Sequence, residues 1–167
     1  GNGIYNMHGR PMKDHNWHKG GYGLLTTTEA LMVSSNIGVS KIIDDNYHKN
    51  PSQFVKGIHK LGLATPLNLD IPGTGNPVIR MPNKRNWSKT ALAWMSIGYE
   101  TQVPPINTLA FYNAIANDGV MVKPKFVKAI TKGDMIISEI PTEVINPAIA
   151  SKKTISQIKV ILEKVVS

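Results

Sequence analysis

The chain has no cysteine among its 167 residues. That removes disulfide frameworks, thiolate metal sites and cysteine nucleophiles together, and leaves the redox compartment unreadable from thiols. No apolar run approaches the roughly 20 residues that a membrane-spanning helix needs. The opening residues, Gly1 to Arg10, lack the charged-then-apolar layout of a signal peptide, so any export signal or anchor is expected outside this chain. The net charge is +8, yet the basic residues are spread from Arg10 to Lys164 without a dense block. With no polybasic run and no RNA-binding aromatic signature, nucleic acid is not an expected partner, and the charge reads as a solvated basic surface.

What is present is core material: 41% of the residues are hydrophobic, enough at this length to fill one globular unit. Residues 1–23, rich in Gly, Asn and His, read as an irregular lead-in. His8, His15 and His18 raise the question of a metal, with Asp14 as the nearby carboxylate, but their placement in this segment favours surface loop histidines, and neither metal nor cofactor is expected.

Helical signals follow. Thr26 and Glu29 have the spacing of a capping box, which predicts a helix starting near Thr27. Ile37, Val39, Ile42 and Ile43 continue a helical pattern to Asp44 and Asp45. Ser52 is a candidate cap for a helix carrying Phe54, Val55, Ile58 and Leu61, which Gly62 would end. A short buried helix is predicted within 88–98. The next runs from Pro104 and Pro105 to just before Gly119, and is apolar nearly all round through Ile106, Leu109, Ala110, Phe111, Ala114 and Ile115, so it should cross the core. Residues 120–130 and 134–140, parted by Lys132 and Gly133, alternate as a hairpin would. A last amphipathic helix fits Thr154 to Val166, with Ile155, Ile158, Ile161, Leu162 and Val165 inward. Two strands cannot stand alone as a sheet, and at least four helices need something to pack on, so residues outside this chain are expected to complete the sheet.

Between the apolar residues of 30–43 stand Ser34, Ser35 and Asn36. Such residues often mark a helix break, since their side chains compete for backbone hydrogen bonds. Buried without partners they would cost about 1–3 kcal/mol each, a cost that facing a groove removes.

The stretch "ALMVSSNIGVSKII" resembles the Ser-x-Asn motif of the penicillin-binding protein transpeptidases, a family whose motifs also include Ser-x-x-Lys and Lys-Thr-Gly. "FVKGIHKLGLATPLNLDIPG" is similar to the family's helix and turn segment, and the block from Trp87 to Ile130 to its most recognisable region, so the likeness covers nearly the whole chain. At Gly98-Tyr99-Glu100 relatives usually carry a second glycine where Glu100 stands, and that loop is given no catalytic role. The resemblance implies an α+β fold of the serine β-lactamase and D,D-peptidase kind, helices packed on an antiparallel sheet, incomplete in this chain.

The other two motifs are missing. Ser34, Ser35, Ser40, Ser52 and Ser88 lack lysine three residues on. Ser156 does reach Lys159, but on the expected solvated face of the last helix and after Ser-x-Asn, where the family places its nucleophile before it. Lys89-Thr90 is followed by Ala91, and Lys153-Thr154 by Ile155. Residues 1–167 are therefore expected to be a partial transpeptidase domain, lacking the upstream Ser-x-x-Lys segment and the downstream Lys-Thr-Gly strand.

By resemblance, Ser34 would pass a proton between the activating lysine and the departing or attacking amine, and Asn36 would hold a carbonyl of the bound peptide. Ser35, between them, should turn away and support packing. The implied parent is a serine-type D,D-transpeptidase that crosslinks peptidoglycan, of the division type since "SSN" stands where elongation relatives often have aspartate in place of Asn36. Its expected partners are the peptidoglycan stem peptide, β-lactam antibiotics, a glycosyltransferase and division proteins, at the periplasmic face of the inner membrane. Isolated, this chain would be inactive. The alternative is a non-catalytic β-lactam sensor or peptidoglycan-binding module of the same fold; a hydrolytic relative of the β-lactamase kind fits less well, for want of a glutamate-bearing loop.

Overall fold

A computed structural model describes residues 1–83, 85 and 87–166. Its elements in order are β1 (Ile4–Met7), β2 (Arg10–Lys13), a 3₁₀ turn (Trp17–Lys19), α1 (Thr27–Met32), α2 (Asn36–Tyr47), α3 (Pro51–Lys60), β3 (Val78–Ile79), α4 (Ala91–Met95), β4 (Thr101–Gln102), α5 (Pro105–Ala116), β5 (Met121–Val122), β6 (Ala129–Lys132), β7 (Met135–Glu139), β8 (Val144–Asn146) and α6 (Lys152–Val166). Length predicts one globular unit, but the contacts gather into two: Gly1–Gly57 with Ile79–Thr101 and the chain from Gln157, and Ile58–Val78 with Gln102–Ser156. Among the described residues no helix is long and apolar enough to cross a membrane.

In the first unit the expected irregular lead-in is a hairpin. β1 and β2 pair antiparallel, with Ile4 opposite Lys13 and Met7 opposite Arg10. His8 and Gly9 turn it, both at positive φ, and Gly9 N–H donates to Asn6 Oδ1 at 2.8 Å. Only Met7 and Met12 of its eight strand residues are buried, so the alternation that reveals a strand in sequence never develops. Those two methionines meet Ala93 of α4, with Ile37, Trp94 and Ile97 packed around them.

The predicted capping box is present on α1: Glu29 N–H donates to Thr26 Oγ1 at 3.2 Å, and Glu29 Oε2 accepts from Thr26 N–H at 2.7 Å. α1 and α2 approach closely because residue 38 is glycine. A Cβ there would lie 2.6 Å from the Ala30 Cβ and 3.1 Å from Ser35 Oγ. α3 begins one residue before Ser52, which is therefore inside the helix and not its cap, with Pro51 in the first position. Pro51 fits there because the first turn has no partner for the amide that proline lacks.

In the second unit Gly62, at φ +86°, turns the chain beside the wholly buried Met121, whose Sδ a Cβ on residue 62 would meet at 2.7 Å. α5 has Pro105 in its first turn and buries Asn107, Ala110, Ala114 and Ile115. Leu109 and Tyr112 are exposed, so the helix shows one face outward and does not cross a core. Asn107 is buried at no apparent loss, since its Nδ2 donates to the Thr65 carbonyl at 2.9 Å. The anticipated hairpin exists as β6 and β7, with Gly133 at the turn, but its first arm is shorter than the sequence pattern suggests. Met121 and Val122 pair instead with β8. α6 starts two residues before Thr154 and buries Ile155, while Ile158, Ile161 and Leu162 are half-buried and Val165 is exposed.

Candidate active site

The Ser-Ser-Asn step is a junction between two helices, built by backbone and side chain together. α1 closes with Ser34 N–H donating to the Leu31 carbonyl at 3.1 Å and Ser35 N–H to the Ala30 carbonyl at 2.9 Å. Between them Ser34 takes φ +51°. This is the left-handed conformation that ends many helices and that glycine adopts at least cost. A serine there is a backbone compromise. Its side chain is exposed, and among the described residues its hydroxyl has no hydrogen-bond partner.

Ser35 turns the other way. It is buried, caps α2 by accepting the Gly38 N–H at 2.9 Å, and donates its hydroxyl to the Asp14 carboxylate, with both oxygens at 3.0 Å. Asp14, also buried, accepts the Ile37 N–H at 3.0 Å as well. A carboxylate at a helix N-terminus meets unsatisfied amides and the positive end of the helix dipole, so the sequence partner of α2 is an aspartate at the end of β2. The sequence alone marks Asp14 only as a carboxylate near loop histidines. Its partner lies 21 residues along the chain, and no local spacing signals the pair.

Asn36 is half-buried, and its Nδ2 donates to the Lys13 carbonyl at 3.0 Å. One amide hydrogen and the carbonyl oxygen of that side chain are left for other use. The ammonium of Lys13 lies 3.9 Å over the Trp17 ring, which further holds the end of β2 against the 3₁₀ turn. Lys13 thus holds Asn36 and Asp14 holds Ser35 and Ile37, so Ser34 and Asn36 flank a clamped centre.

A cleft of about 370 Å³ opens on the Ser35 side, walled by Tyr5, Tyr22, Leu25, Gly38 and Lys41 among others. Ser34 and Asn36 are not among its walls. Glu100 takes φ +62° in the exposed Gly98-Tyr99-Glu100 loop, the conformation in which a glycine is at ease. Ser156 is exposed and Lys159 half-buried on α6. The histidines of the first segment do not gather: His15 hydrogen-bonds Tyr22 Oη at 2.9 Å, and the His18 ring sits edge-on to Trp17.

A family model described as "Penicillin binding protein transpeptidase domain" matches residues 2–167. A probable peptidoglycan D,D-transpeptidase PbpC of Pseudomonas aeruginosa is 36% identical over 99 residues, 59% of this chain and 17% of that protein. The peptidoglycan D,D-transpeptidase FtsI of Escherichia coli is 31% identical over 116 residues, 70% of this chain and 18% of that protein. Among solved structures, penicillin-binding protein 3 of Mycobacterium tuberculosis complexed with aztreonam superposes with a TM-score of 0.75 at 26% identity, over 99% of this chain and 35% of that one. The chain thus spans under a fifth of these two curated relatives. The α+β fold expected from the sequence agrees with these neighbours, and the chain belongs to the penicillin-binding protein transpeptidase domain family.

Proposed function

We propose that residues 1–167 are the part of a serine-type peptidoglycan D,D-transpeptidase that carries its Ser-x-Asn motif, and that the whole protein crosslinks cell wall during division. The nucleophilic serine and its lysine, and the Lys-Thr-Gly strand, come from chain outside these residues, as does a membrane anchor that leaves the catalytic domain periplasmic. The reaction is acyl transfer: the nucleophile attacks the carbonyl of a terminal D-Ala-D-Ala bond, D-alanine leaves with a proton, and a second stem peptide's amine takes the acyl group. Ser34 relays the proton between lysine and amine. Asn36 gives its remaining N–H to a carbonyl of the bound peptide.

The observation that carries this reading is Ser34 itself. An exposed hydroxyl with no hydrogen-bond partner among the described residues occupies a left-handed position where glycine would cost the backbone less. The motif likeness and the named relatives support the chemistry.

The test is covalent labelling with a fluorescent penicillin. The intact parent takes up one label per chain, and residues 1–167 alone take up none. Stoichiometric labelling of residues 1–167 would refute the reading and make Ser34 or Ser156 a nucleophile in its own right. A parent that labels but forms no crosslinked dimer from stem peptides would be a sensor and not a transpeptidase.

A further inference from the structure

The tip of the first hairpin reaches the far end of α2. There His8 Nε2 lies 2.8 Å from Asp44 Oδ2 and 3.0 Å from Oδ1, and His48 Nδ1 lies 3.4 Å from Asp44 Oδ1. The two imidazole rings stack at 4.8 Å between centroids, 16° from parallel. Asp44 and His48 are four residues apart on a helix and so share one face, while the turn of β1 and β2 delivers His8 to that face. All three are in the first unit, away from the Ser-Ser-Asn junction in sequence and not used by the proposed reaction.

We propose that His8, Asp44 and His48 form a binding site for a divalent transition-metal ion of the zinc type. Two imidazole nitrogens and one carboxylate oxygen are a donor set suited to zinc, copper or nickel and poorly suited to calcium or magnesium, which take oxygen donors. The three donor atoms already lie within 4.8 Å of one another. Donors on a tetrahedral ion at about 2.0–2.1 Å sit about 3.3 Å apart, so the His8 and Asp44 atoms are near their places. His48 makes the remaining adjustment, being 54% exposed where Asp44 is 13% exposed.

An imidazole ligates through whichever ring nitrogen does not carry its proton. In the tautomer with its proton on Nδ1, His8 presents the Nε2 lone pair to the ion. His48 binds through Nδ1 with its proton on Nε2. With three protein donors, the fourth position is left to water.

Zinc chloride is titrated calorimetrically into untagged protein stripped with a chelator. One ion binds per chain, His48→Ala weakens binding at least tenfold, and His18→Ala leaves it within twofold. His48→Ala keeps the bond from His8 to Asp44, so it removes a ligand without undocking the hairpin, and circular dichroism checks that it is folded. Cobalt(II) supplies a second readout: the wild type develops the visible absorption bands of a tetrahedral site, and His48→Ala does not. Absence of saturable binding at one ion per chain, or an unchanged affinity in folded His48→Ala, or an equal loss in His18→Ala, would reduce the cluster to a hydrogen-bonded dock for the hairpin.

Discussion

Consecutive residues at the helix junction sit in different settings, Ser34 exposed and Ser35 buried on the Asp14 carboxylate, and substitution separates the two. Among the described residues Ser34 makes no hydrogen bond with its hydroxyl, and it holds φ +51°. Ser34→Gly relieves the left-handed backbone while loosening the unfolded chain, two effects of opposite sign and each of about 1 kcal/mol, so stability stays within about 1 kcal/mol of the wild type. Asp14→Ala behaves otherwise, because it leaves the buried Ser35 hydroxyl and the Ile37 amide without their acceptor. At about 1–3 kcal/mol for each group left unsatisfied, the loss is about 3 kcal/mol, read as a lower midpoint in urea. In the intact parent the order reverses on acylation rate per folded molecule: Ser34→Gly slows penicillin acylation by orders of magnitude. If Ser34→Gly acylates at the wild-type rate, the hydroxyl has no part in the chemistry.

At the scale of elements, what could be read in the sequence was what the chain decides locally. The capping box needs only Thr26 and Glu29, three residues apart, and it formed as spaced. The polarity of α5 rests likewise on Pro105 and Gly119. The first hairpin was missed because its strands bury one methionine each, and a four-residue strand with one inward side chain has no period. The Asp14 clamp and the His8 cluster were missed for a different reason, since their partners are 21 and 36 residues apart and only the fold brings them together. The capping box also sets a pH dependence. The hydrogen bond from the Thr26 backbone, then that from its hydroxyl, lowers the Glu29 pKa from its ordinary 4.5. A depressed folded-state pKa means that the box contributes its stability fully above about pH 4.5 and loses it as pH falls through the lowered value. Thermal melts from pH 6 down to pH 3 should show Glu29→Gln losing less midpoint over the lower part of that range than the wild type. Parallel curves would mean that the carboxylate does not discriminate between folded and unfolded chain.

Over the whole chain, two separate cores imply that damage to one is felt first where its own residues pack. The first unit is built on Met7, Met12 and Ala93, the second on Met121, Ala110, Ala114 and Ile115, with Met121 wholly out of water. Met121→Ala removes a long side chain from a site where Gly62 approaches its sulfur, and the emptied space cannot be filled by a residue with no Cβ. Truncations of this kind cost about 2–5 kcal/mol, at the upper end where the walls cannot close in. Local openings follow contiguous cooperative segments, so the cost falls on the amides that depend on that core. Hydrogen exchange followed by mass spectrometry on Met121→Ala should show faster exchange in α5 and β5, while β1, β2 and the start of α2 keep their protection through the Asp14 clamp. Equal acceleration across both sets of amides would mean that the two units open together, as a single cooperative core.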